Sequence, residues 1–390
     1  MHPVDFRTLR FILIASILYG VFHFAYHKVP DQVLSTKVYP AIIGKLAEKT
    51  INTITPDRNI RAINHSLISS KAKLNIVRGC DGSGVLFMLT AAIIGFGASL
   101  RKTVIGLALG ITTVYAINQI RIVGLYYVIE YNRAWFPPLH TYYAPTLIIL
   151  LVAAFFLFWT RWAVADDAAQ KEEKPSAPKT PTKKPWATKL STGKLAFICA
   201  KGLLIWFLLA QAGQQWGDRI LAPVLPVYED TITAIAKDYS ANIDIVDSQK
   251  GKVVQLEATT LKAIPVTPVN SLRAGITIPV TVTLLHQLVP LVILLTILLV
   301  WPVQRWQQRA YMLLAAIPCI LIVAVVTTPM QLLGTLEISL QNYAATMGYL
   351  RHEPRVLTWM LLTEGGARWL IPVLLGVAAA TLVQRWTKQH

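Results

Sequence analysis

Long apolar runs with few or no charges recur along this chain, separated by short basic clusters. This alternation narrows the possible folds more than any other feature. The runs fall at 8–26, 84–100, 103–127, 142–160, 195–213, 284–303, 310–328 and 368–384. A helix needs roughly 18–20 apolar residues to cross the hydrocarbon core of a bilayer. The pattern therefore predicts an all-α polytopic membrane protein with about eight transmembrane helices. Composition agrees, since 54% of residues are hydrophobic and only 15% charged, where a soluble domain carries about a quarter charged. The first run is too long, and too poor in cleavage-site features, to be only a signal peptide.

The formal net charge is +17. In so apolar a chain, basic residues are expected in cytoplasmic loops, and nucleic acid is not expected as a partner. Placing the N-terminus in the cytoplasm puts five basic clusters there: Arg7 with Arg10, Arg101 with Lys102, Arg161 with the lysines that follow it, Arg305 with Arg309, and Arg385 with Lys388. The outer loops near 130–141 and 329–367 are then mixed in charge. The expected topology is multi-pass with both termini inside. The long loop at 27–79 carries many Lys and Arg, but at such length the charge rule weakens.

Between about 163 and 194 the chain holds Pro175, Pro178, Pro181 and Pro185 among lysines. Such a stretch reads as an extended, solvated cytoplasmic linker. It divides the chain into a four-helix membrane module at 1–162 and a second four-helix module at 195–390, with no sequence repeat between them. In the second module, residues 252–264 and 275–283 are rich in Val, Ile and Thr with partial alternation and read as two or three strands, with a helix near 226–239. The segment 214–283 is expected to be a small extracytoplasmic α/β or β subdomain, or else a covering loop without a function of its own.

Three polar features of the first module fall at one depth. Cys80 lies in Arg78-Gly79-Cys80-Asp81-Gly82-Ser83-Gly84, directly before an apolar run. A helix N-terminus there favours thiolate over thiol, and the glycines permit sharp turns and close approach. Asp81 opposes the thiolate if it faces the sulfur, so it is expected to turn outward or pair with Arg78. Arg121, in Asn118-Gln119-Ile120-Arg121, lies roughly 27 Å along its helix from Thr103, near the outer interface. A charge inside a spanning segment usually faces a bundle interior or a watery cavity, and the spacing puts Asn118 on the same face. His140 follows Pro137 and Pro138 and immediately precedes the fourth apolar run. Taken singly, these residues are explained as a boundary thiol, a snorkelling arginine and an interfacial histidine. Together they place a thiol, a guanidinium and an imidazole on successive helices, which is the set needed for an activated nucleophile and an oxyanion partner. Cys199 and Cys319 lie within apolar runs and read as packing residues. With so few scattered cysteines, no disulfide framework, metal site or cofactor is expected.

Cys80 in a G-C-x-G context, Arg121 in N-x-x-R-I, and His140 before the module's last helix resemble the exosortase/archaeosortase family in order and spacing. The resemblance covers about residues 5–162. It implies a membrane-embedded thiol peptidase/transpeptidase that cleaves C-terminal sorting signals of exported proteins. In that family the substrates carry a short motif, a transmembrane helix and a basic tail. The resemblance gives Cys80 the nucleophile's role, His140 the acid/base role, Arg121 that of transition-state stabiliser, and Asn118 a supporting role. It further implies a bacterial cytoplasmic (inner) membrane, an active site on the outer, periplasmic face, and an amine acceptor on a lipid or glycan, or water. Two features depart from the family pattern. Asp81 stands where a small uncharged residue is common, and the module has four helices rather than eight. The second module is similar to membrane proteins that accompany short exosortases.

Two other classes fit the same residues: a transferase using His140 and Arg121 on a lipid or glycan phosphate, and a non-enzymatic transporter or assembly scaffold. The second module shows no polar cluster comparable to the first. Its candidates for substrate contact are Glu337, Arg351 and His352.

Overall fold

The computed structural model describes residues 6–172, 192–248, 251–351 and 355–389. Two compact units divide the chain, Met1–Lys201 and Gly202–His390. Among the described residues, six stretches are helical, long and apolar enough to cross a membrane: Arg10–His27, Leu100–Tyr131, Arg133–Val164, Ala196–Ile235, Trp306–Thr346 and Arg368–Thr387. Two further apolar helices, Ser83–Phe96 and Leu284–Val300, are shorter. The eight apolar runs thus yield six stretches of crossing length and two short helices. Ser83–Phe96 is cut short by Gly97, whose left-handed backbone (φ 73°) caps it, as glycine does at many helix ends.

In the first unit, α1 (Phe6–His27) is followed by α2 (Asp31–Val33), whose helical path continues through two π-turns into α3 (Lys45–Ile54). Three short strands follow, β1 (Arg61–Ile63), β2 (Ser66–Ile68) and β3 (Lys73–Asn75), paired antiparallel in that order. The segment read from sequence as a long loop is therefore an ordered helix-and-sheet cap. Its core joins Ile43, Ile51, Leu67 and Leu74 to Ile122 and Tyr126. The last two belong to α5 (Leu100–Tyr131), which follows α4 (Ser83–Phe96). At 32 residues, α5 is about 48 Å long against a hydrocarbon core of about 30 Å. Its surplus turns leave the apolar bundle and become a wall of the cap.

After α5 the chain runs through α6 (Phe136–Pro138) and a π-turn (Leu139–Tyr143) into α7 (Ala144–Glu172). α1 packs on α4, and α4, α5 and α7 pack on one another. At Gly106 of α5 a side chain would collide with Trp159 of α7, whose indole comes within 2.3 Å of the missing Cβ position. Small residues let apolar helices approach this closely. α7 stays helical to Glu172, beyond the expected start of the linker at 163. The Pro-rich stretch itself, 173–191, lies outside the described residues.

In the second unit, α8 (Thr192–Leu221), which the unit boundary cuts, leads to α9 (Leu225–Ile235). β4 (Tyr239–Ser248) and β5 (Gly251–Thr260) then form a ten-pair antiparallel ladder. A two-stranded ribbon, β6 (Ile264–Pro265) and β7 (Ser271–Leu272), precedes β8 (Thr277–Thr283), which pairs with β5. The helix and the later strands fall where the sequence placed them; β4 was not foreseen. α10 (Leu284–Val300), α11 (Trp306–Val326), α12 (Thr328–Thr346), α13 (Arg355–Leu362) and α14 (Arg368–Gln389) complete the unit. Leu294, Leu298, Met312, Ala316 and Ala380 form the shared core of α10, α11 and α14. The region 329–367, expected as an outer loop, is largely helical because α12 continues from α11 after a single break at Thr327.

Candidate functional site

The loop joining β3 to α4 is built by two glycines. The Cys80 amide donates to the Val77 carbonyl (2.9 Å) across a tight turn. Gly79 in that turn has φ 85°, a conformation that side chains rarely tolerate. Gly82, at φ 83°, caps α4. A Cβ on Gly82 would also lie 3.0 Å from the Asn118 side chain. The G-C-x-G frame thus holds Cys80 and Asp81 between two left-handed residues, with no room to relax toward α5.

Around this loop the structure gathers all four residues singled out in the sequence. The His140 Nε2 lies 3.2 Å from the Cys80 sulfur. Arg121 donates to the Cys80 carbonyl (3.3 Å), to His140 Nδ1 (3.4 Å) and to the His140 carbonyl (3.4 Å). Asn118 donates from its side-chain amide to the Asp81 carbonyl (3.0 Å). A guanidinium can only donate, so its contact with Nδ1 is a hydrogen bond only when Nδ1 carries no proton. The His140 ring is held by stacking on Phe136, one helical turn earlier, with centroids 5.1 Å apart and planes 7° from parallel. Arg121 Nε and Asn118 Oδ1 are buried without a hydrogen-bond partner among the described residues. Such spare groups are costly to bury, and the Arg121 nitrogen is a donor in reserve beside the thiol.

Electrostatics at Cys80 are contested. Burial pushes its thiol above the ordinary thiol range; the Arg121 guanidinium pulls it down and the Asp81 carboxylate pushes it up again. Asp81 neither turns outward nor meets Arg78, contrary to the sequence expectation. It accepts hydrogen bonds from the Tyr26 hydroxyl and from Ser83 (hydroxyl 2.9 Å, amide 3.4 Å). Arg78 instead clasps the end of α1, donating to the Tyr26 and Val29 carbonyls and to Asp31 (2.8 Å), with its guanidinium over the Tyr26 ring. Nothing local in the sequence pointed to Tyr26 or Asp31. Their bonds to the Cys80 loop span 47 to 55 residues.

The second unit contains a polar cluster that the sequence reading missed. His286 Nε2 lies 2.9 Å from Glu364, which also pairs with the fully buried Arg368 at 2.6 Å. Arg368 donates to Gln331 (3.0 Å), Gln287 donates to the same oxygen (2.7 Å), and Thr328 donates to Gln287 (2.9 Å). The available signal was Glu364 and Arg368, one helical turn apart at the edge of an apolar run. Of the three residues suggested for substrate contact, Glu337 and Arg351 are engaged with each other at 2.6 Å, and Arg351 also donates to the Pro265 carbonyl. His352 lies outside the described residues. Among the described residues no three His, Cys, Asp or Glu side chains form a group able to hold a metal ion.

No family model matches this chain, and no curated protein or solved structure does so either.

Proposed function

We propose that this chain is a membrane thiol peptidase/transpeptidase whose nucleophile is Cys80. The observation that carries the reading is the 3.2 Å contact between the Cys80 sulfur and His140 Nε2, with Arg121 reaching both residues. Sulfur beside an imidazole, with an adjacent cationic donor, is the arrangement of an activated thiol.

The thiol proton passes to His140 Nε2, which requires the imidazole to carry its other proton on Nδ1. Arg121 must therefore release Nδ1, and its fork and its spare Nε–H turn to the substrate carbonyl oxygen. The thiolate attacks the carbonyl carbon, and the oxyanion accepts from Arg121. The carbon–nitrogen bond breaks as His140 gives its proton to the leaving amine, leaving an acyl thioester on Cys80. An incoming amine or water attacks that thioester, loses its proton to His140, and restores the thiol. Asn118 acts as a positioning residue by fixing the Asp81 carbonyl.

The substrates proposed are exported proteins with a C-terminal motif, a transmembrane helix and a basic tail, processed at the outer face of a bacterial inner membrane. The basic clusters at 101–102 and 305–309 support that orientation. The test is turnover and acyl-enzyme trapping of such a protein by the whole chain and by Cys80→Ala. Loss of both with the sulfur supports the reading. Full processing by Cys80→Ala would refute it.

A further inference from the structure

The cap sheet has two edges, and the structure treats them differently. In the β2–β3 ladder, Ser69 and Ile76 donate across to Ala72 and His65, and Leu67 faces Leu74. Backbone direction alternates along a strand, so Ala72, Leu74 and Ile76 face β2, while Lys73 and Asn75 point their N–H and C=O groups away from it. The same alternation turns Ile60 and Ala62 outward on the far edge. There the groups are capped: Glu48 accepts from the Ala62 amide (2.8 Å), and Asn52 both accepts from the Ile60 amide (2.8 Å) and donates to its carbonyl (2.9 Å). On the β3 edge no hydrogen bond reaches the backbone of Lys73 or Asn75 among the described residues. Lys73, Asn75 and Val77 are exposed there.

This open edge leads into the candidate site. The turn Val77–Cys80 begins two residues after β3 and brings the Cys80 backbone within about 7 Å of Val77. A strand added beside β3 would lie about 4.8 Å from it and advance about 3.3 Å per residue, so it would run alongside β3 toward the turn that carries Cys80. Charge also favours one kind of occupant. Residues 28–78 hold nine Lys and Arg against three Asp and Glu, and Lys71 and Lys73 are exposed on this edge. A residue opposite Lys73 on an added strand is best acidic.

We infer that the outward edge of β3 binds an extended, acidic peptide segment of a protein substrate by strand addition and guides it to Cys80. Delivery to Cys80 rests on the proposed peptidase function; the binding itself does not. Main-chain hydrogen bonds would supply affinity, and alternate side chains the selectivity.

The test uses the full chain in detergent carrying Cys80→Ala, so that no turnover intervenes. The probe is a fluorescein-labelled decapeptide of alternating valine and glutamate, read by anisotropy. Methylating the peptide nitrogens of one alternate set should weaken binding at least about tenfold, while methylating the other set changes it less than about twofold. Lys73→Pro removes an outward donor without touching the β2 ladder, as an edge strand permits, and should cost a similar factor. Lys73→Met, which keeps the N–H, should cost about twofold to fivefold. Equal sensitivity of both methylated sets, no saturable binding, or unchanged binding by Lys73→Pro would overturn the inference. Alkylation of Cys80 by iodoacetamide in the unmutated chain is measured beside it. Register-dependent binding with an inert Cys80 would remove the peptidase reading and leave the strand-addition site. A reactive Cys80 without such binding would remove only the latter.

Discussion

Replacing Asp81 by Asn removes a charge near Cys80 that opposes thiolate formation. Burial holds the thiol above its ordinary range, Arg121 lowers it, and Asp81 raises it. Because the thiol form is favoured, the alkylation rate at neutral pH should climb about tenfold per pH unit until pH reaches the raised pKa. A like charge on the neighbouring residue that shifts the thiol by about one pKa unit corresponds to about 1.4 kcal/mol. Asn keeps an oxygen for the Tyr26 or Ser83 donor, so the loop should hold its shape. The expected outcome is a pH–rate profile displaced about one unit to lower pH, with alkylation about tenfold faster at pH 7 and an unchanged plateau. The assay is iodoacetamide labelling of Cys80 across pH 6–10, with Cys199 and Cys319 replaced by Ala. An unmoved profile, or one moved to higher pH, would show that Asp81 does not act on the sulfur and that the site's electrostatics are misread.

Arg121→Lys keeps the positive charge but loses the planar fork that meets the Cys80 carbonyl and His140 together. Turnover should fall about a hundredfold or more while the Cys80 alkylation profile moves little, and wild-type turnover would reduce Arg121 to a membrane anchor. Gly82→Ala adds a Cβ 3.0 Å from Asn118 at φ 83°; it should cost about 2–4 kcal/mol, read as a lower thermal midpoint in detergent. Glu364→Gln leaves the fully buried Arg368 without its carboxylate and should destabilise the second unit by about 3–5 kcal/mol, measured by thermal unfolding, while Cys80 alkylation stays unchanged.

Much of the candidate site was legible because its residues break local rules. Arg121 is a charge in an apolar helix, Cys80 sits in a glycine-dense junction, and His140 follows two prolines. Each signal is local, and together they identified residues that the fold brings into contact. The settings of those residues were not legible. Asp81 could pair with Arg78, two positions before its neighbour Cys80, yet the turn at Gly79 sends Arg78 to the end of α1 and Asp81 to Tyr26. His286, Glu364 and Arg368 escaped notice for the same reason, since His286 joins the other two across 78 residues or more.

Hydropathy and charge by themselves determined that this chain is helical and apolar over most of its length, where its apolar helices fall, and which side chains are out of place within them. These properties follow from each residue's own transfer between water and an apolar phase. Only the tertiary structure decided that residues 31–75 form an ordered cap on the surplus turns of α5, and that two of the apolar helices are short. It also decided that one sheet edge is sealed by Glu48 and Asn52, while on the β3 edge the outward backbone groups of Lys73 and Asn75 have no hydrogen bond among the described residues. A three-residue strand has too few side chains to carry a periodic signal, and the direction of its backbone groups is fixed by which neighbour it pairs with. That choice is made by contacts distant in sequence, which no local pattern records.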